Sequence, residues 1–183
     1  MDHSLPPNRK NEIARRDFVR IAVHEVAHAL IHGLSSCQGL WIWPTPGGVT
    51  LDRNSFTGQC LLSIQASPET SVAGELAVFL HSTFCEEFGS GGDWPDGFSF
   101  WTEEFCELFA ALSENGSVSE TDLSGIGQLS YDEFAGLAEK VSAELRNLWP
   151  DLLRIVGVLV DQFEEDPSND CYGFTDWMLR ELR

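Results

Sequence analysis

Apolar residues recur at helical spacing over most of the chain, with two short alternating stretches between. From about Arg9 to Leu34, Ile13, Phe18, Ile21, Ala22 and Ala29 fall on one stripe, which predicts a helix that Gly33 can end. Gly39–Pro44 and Thr57–Ile64 alternate as two short strands, with a Pro44, Pro46, Gly47, Gly48 turn cluster following the first. Pro68 opens a second helix to about Phe88. Gly89 to Gly97 is too rich in glycine for regular structure. Phe98–Ser113 reads as an acidic amphipathic helix, and Asn115–Gly127 as a polar connection. Ser130 and Glu133 have capping-box order at the start of a long helix to about Leu148. Pro150 is expected to interrupt it before a further helix over Asp151–Glu165, and Thr175–Leu182 closes the chain with a turn or two of helix. The expected fold is mainly α with a small β-hairpin, an α+β class. It is a single domain over 9–183, with residues 9–97 as core and 98–183 as a helical extension, after a flexible tail at 1–8.

Charge changes this picture. The 183 residues carry 11 Lys+Arg against 29 Asp+Glu, a net charge of −18. No Lys or Arg lies between Arg53 and Lys140, where 15 acids stand. Such a surface repels phosphate backbones and anionic membranes, so neither nucleic acid nor a membrane is expected as a partner. The basic residues Arg9, Lys10, Arg15, Arg16 and Arg20 cluster in the first helix. The five cysteines are scattered, odd in number and without a CxxC pair, which points to neither a disulfide framework nor a cysteine zinc site. The polar start lacks the apolar core of a signal peptide, and the longest apolar run, Leu152–Phe163, is interrupted by Arg154 and Asp161. A cytoplasmic protein is the expectation.

The chemistry lies in the first helix. His24-Glu25-Val26-Ala27-His28 is an HExxH sequence. Four residues make just over one turn, so both imidazoles leave the same face and can hold one Zn²⁺. Glu25 can face the metal without binding it and take a proton from water. Chance would produce the pattern roughly 0.01 times in a chain of this composition. Apolar Ile21-Ala22-Val23 and Ala29-Leu30-Ile31 flank it, and histidines in so buried a helix need partners. A catalytic zinc takes a third protein ligand and leaves one position open. Ile31 and Leu34 stand where a metzincin has Gly and His, which excludes that class. His32 is one turn past His28, but three ligands spaced four apart on a straight helix drift away from one ion. His81, among Phe79, Leu80 and Phe84, reads as a core or boundary histidine, and His3 is in the tail. A carboxylate on a glycine-rich loop can approach a metal closely, which Asp93 after Gly89, Gly91 and Gly92 satisfies. Asp96, Glu75, Glu69, Glu86 and Glu87 remain alternatives.

Ile21 to Leu30 resembles the active-site helix of the FtsH-type zinc peptidases, most closely the small stand-alone versions of that domain. The hairpin from Leu40-Trp41-Ile42-Trp43-Pro44 to Gly58-Gln59-Cys60-Leu61, and the small-residue stretch Ala73-Gly74-Glu75-Leu76-Ala77, follow in the same order. The resemblance covers about residues 12–96. It implies a zincin-like domain, Zn²⁺ as cofactor, and Asp93 as third ligand beside His24 and His28. Ala27 stands where the family usually has Gly, and Val78 and Phe79 where it usually has a Glu pair. Neither the family's ATPase nor its membrane segment is seen, so ATP-driven unfolding is not expected. The expected activity is zinc-dependent hydrolysis of peptides or unfolded proteins, with Glu25 as general base. The alternatives are a non-catalytic acidic binding protein with a structural or degenerate zinc site and, more remotely, an acidic mimic of nucleic acid.

Overall fold

A computed structural model describes residues 7–46, 56–63, 65–88 and 101–182. The elements are α1 (Pro7–His32), a short 3-10 turn (Leu34–Ser36), β1 (Cys37–Pro44), β2 (Phe56–Leu62), α2 (Pro68–Phe88), α3 (Thr102–Glu114), α4 (Glu120–Ile126), α5 (Tyr131–Glu165), β3 (Tyr172–Thr175) and α6 (Asp176–Glu181). The described chain is mostly helical with one small antiparallel sheet, as the residue pattern predicts.

The sheet has three strands in the order β2-β1-β3, one more than the expected hairpin. Leu40 of β1 faces Cys60 of β2 on one side and Phe174 of β3 on the other. The third strand comes from the C-terminal segment, just before the expected terminal helix, which is α6. It is held from below: Tyr172 and Phe174 are both 2% exposed. Phe18 of α1 lies at the junction. It stacks on Phe163 of α5 at 4.6 Å and meets Phe56 of β2 and Tyr172 of β3 edge-on at 5.2 and 5.1 Å. One ring thus ties α1, α5 and two strands together, and a single hydrophobic core runs from Ala14 to Leu179.

Helix α1 lies in the middle, packed against α2 and α5 as well as the sheet. Ala22, Val23, Val26, Ala27 and Ala29 are fully buried, so the HExxH turn is fixed by apolar contact around most of its circumference. α5 runs unbroken through Pro150. Pro150 sits on the exposed face, where the helical bond it cannot make falls toward solvent, while Leu145, Trp149, Leu152 and Ile155 stay buried on the other. Ser130 and Glu133 form the expected capping box at its start. The segment read as a polar connection contains α4, capped by Ser119. No helix among the described residues is long and apolar enough to cross a membrane.

Candidate metal centre

His24 and His28 project from one face of α1, with their Nε2 atoms 2.9 Å apart. The Nδ1–H of His28 donates to the Thr70 carbonyl at 2.6 Å, in the first turn of α2. Ser67 caps that turn by accepting from Thr70 N–H at 3.2 Å, which holds the carbonyl in place. This bond puts the proton on Nδ1 and leaves the Nε2 lone pair of His28 directed at the neighbouring ring. Glu75 of α2 lies behind His24, with Oε1 3.6 Å from Nδ1. It is not in the metal-ligating group that the described residues form.

The carboxylate that does face both rings is Asp122. Its Oδ1 lies 3.6 Å from His28 Nε2 and its Oδ2 3.8 Å from His24 Nε2. Ligands held at the usual zinc distances on a tetrahedron stand about 3.3 Å apart. The separations of 2.9, 3.6 and 3.8 Å bracket that value. His24, His28 and Asp122 form the one such metal-ligating group found among the described residues. Asp122 is the third residue of α4 and is oriented there. The Ser119 hydroxyl donates to Oδ2 at 2.7 Å and accepts from the Asp122 N–H at 3.1 Å.

The expected third ligand, Asp93, and its neighbour Asp96 lie outside the described residues, as do the side chains of Glu86 and Glu87. Glu69 is engaged elsewhere, in an ion pair with Lys140 at 2.7 Å. His32 is outside the group, and half-buried His81 packs against the Trp149 ring at 6.5 Å. Sequence reasoning missed Asp122. The available signal was Ser119 followed three residues later by an acid, the order of a helix start.

Glycine makes the close packing of the site possible. A Cβ on Gly74 of α2 would lie 2.6 Å from His24 Cε1 and His28 Nε2 and 2.7 Å from His24 Nδ1. A Cβ on Gly58 of β2 would lie 2.5 Å from Glu25 Cγ. Gly74→Ala is therefore expected to weaken metal binding by about 10–100-fold, the scale seen when support of a ligand is lost. Alanine favours a helix interior by roughly 0.5–1 kcal/mol, which offsets part of the roughly 1–3 kcal/mol that overpacking costs, so helix content should stay near that of the unaltered protein. Chelator competition reads the affinity, and an unchanged value would refute the cradle.

Glu25 is 7% exposed and accepts the Cys60 N–H of β2. Burial, reinforced by the Asp122 and Glu75 charges, pushes its carboxyl up to about 8 against that bond. Burial, with His28 and the Arg20 cation adding, holds His24 well below the ordinary histidine value. Burial also lowers His28, against the pull of Asp122 and the bond to Thr70. Both rings are thus neutral at neutral pH, the form that binds a metal.

Two cavities of about 410 Å³ each meet at His24, Glu25, Gly58 and Ser119. One holds His28, Asp122, Trp43, Gln59 and Thr70; the other holds Arg20, Ile21, Phe56, Thr57 and Glu75. Together they make a cleft that continues to both sides of the Glu25 carboxylate. The chain matches no family model, no curated protein and no solved structure.

Proposed function

We propose that the chain is a zinc-dependent peptidase of the zincin-like, FtsH-related kind, with His24, His28 and Asp122 as ligands and Glu25 as general base. The observation that carries this reading is the convergence of both Nε2 atoms and the Asp122 carboxylate beside Glu25 in a two-sided cleft. Zinc bound there supplies Lewis acidity, lowering the pKa of water to around 7 and polarising a carbonyl. Glu25 contributes a carboxylate that does not ligate, anchored by the Cys60 N–H, able to take a proton from water and return it to the leaving amine.

Substrate alignment falls to β2. It is one of the two outer strands of the sheet among the described residues, and its Cys60 N–H points away from β1, toward Glu25. An extended peptide can pair with this edge and present a bond to Glu25. That geometry suits peptides and unfolded chains.

The decisive experiment measures zinc content and then the release of new α-amino groups from a reduced, alkylated protein. About one zinc per chain is expected, with hydrolysis abolished by a chelator and restored by zinc. A protein that holds zinc yet cleaves neither unfolded proteins nor a peptide library would be a structural zinc protein, and the peptidase reading would fall.

A further inference from the structure

Arg16, Arg20, His24 and His28 follow one another at four-residue spacing, a single line along α1. Arg20 borders the cavity that holds His24 and Glu25, and on its other side a basic cavity of about 380 Å³ with Arg15, Arg16 and His81. In a chain of net charge −18, five of the 11 basic residues lie between Arg9 and Arg20. The Arg20 Nη2 atom is buried and has no hydrogen-bond partner. Leaving a buried donor unmet costs about 1–3 kcal/mol, and more for a charged group, so an arginine that borders a cleft with one donor unmet gains by turning that donor to an acceptor in the cleft. Arg15 and Arg16 differ from it, since they are exposed and pair with Glu164 at 2.7 Å and Asp17 at 3.7 Å.

We infer that Arg20 is a specificity-determining residue that binds a carboxylate of the peptide substrate, one or two residues from the scissile bond. This deepens the peptidase reading and rests on it. The distance follows from the helix. Four residues advance about 6 Å along the axis, while an extended peptide advances about 3.3–3.6 Å per residue. A substrate bond beside His24, four residues from Arg20, therefore places a carboxylate near Arg20 after one or two residues. A guanidinium suits this task, because its planar fork matches a carboxylate with two parallel bonds. Glu25 and Glu75 line the same cavity and would repel a carboxylate, and the Arg20 charge already acts on Glu75, so among the described residues Arg20 is the one cationic side chain lining that cavity that can hold a carboxylate there. The carboxylate is either the C-terminus of the peptide or an acidic side chain, and the test separates them.

The probes are N-acetyl-Ala-Ala-Ala as free acid, the same peptide as amide, and N-acetyl-Ala-Asp-Ala amide. Binding is measured by calorimetry to the zinc-loaded Glu25→Gln protein, where turnover does not interfere, and repeated without zinc. At least one carboxylate peptide should bind about 10-fold or more tighter than the neutral amide. Preference for the free acid identifies a terminal carboxylate, and preference for the Asp peptide a side chain. Adding Arg20→Gln should remove the preference at unchanged zinc content. Arg20→Lys should retain part of it, a point charge without the fork. Equal binding of all three probes overturns the inference. So does a preference that survives Arg20→Gln, which would place the carboxylate on the metal. If Arg20→Gln does not fold, a fall in Arg20→Lys that is equal for acid and amide also overturns it. Zinc content, measured separately, reports on the metal site itself.

Discussion

Asp122→Asn is expected to weaken zinc binding by more than about 100-fold, with helix content near that of the unaltered protein. Loss of a group that merely supports a ligand already costs about 10–100-fold, and loss of a charged ligand exceeds it. Asparagine keeps the shape, can accept the Ser119 hydroxyl bond and leaves the cap of α4 in place, so the fold is spared. What disappears is the negative charge 3.6 and 3.8 Å from the two Nε2 atoms. Asp93→Asn is the comparison, since the resemblance to the FtsH-type peptidases nominates that residue. Chelator competition near neutral pH separates the two. If Asp93→Asn releases zinc and Asp122→Asn does not, Asp122 is a neighbour of the site and not a ligand, while the two-histidine half stands.

The contrast between His24–His28 and Asp122 shows what a sequence reveals of such a site. The histidines are related by helical periodicity, a local property that four residues suffice to display. Asp122 comes 94 residues after His28 and reaches the site only because α4 docks on α2. Nothing periodic connects them. Its helix is 7 residues long, inside a polar stretch too short for an apolar stripe to emerge, and only Ser119 signals it. β3 was hidden for a related reason. Four residues give two alternations, and its partner Leu40 stands far off in the chain, so aromatic packing on Phe18 decides its place. Pro150 errs in the opposite sense. A local rule predicts a break, and the burial of Leu145, Trp149 and Leu152 around it outweighs the lost bond. Local signals were sound where packing agreed with them, as at Pro68 and the Ser130–Glu133 box.

Glu25→Gln is expected to keep zinc and lose hydrolysis by about 10²–10⁴-fold, the usual contribution of a general base. The amide oxygen can still accept the Cys60 N–H, and the side chain fills the same space beside Gly58, so packing barely changes. A second readout comes from the metal-free protein. The folded Glu25 carboxyl titrates at about 8, above its ordinary value of 4.5, so between these the folded state holds a proton that the unfolded chain has released. The stability this group contributes is complete below pH 4.5 and is lost as pH rises through about 8, at about 1.4 kcal/mol per unit of raised pKa. Glutamine does not titrate. The melting temperature of metal-free Glu25→Gln should therefore gain on the unaltered protein as pH rises from 5 to 9. Zinc should shrink that gap, because a nearby cation favours the charged carboxylate. A variant that hydrolyses peptide as fast as the unaltered protein would remove Glu25 from the mechanism. A melting difference independent of pH would show that the carboxyl is not held protonated in the fold.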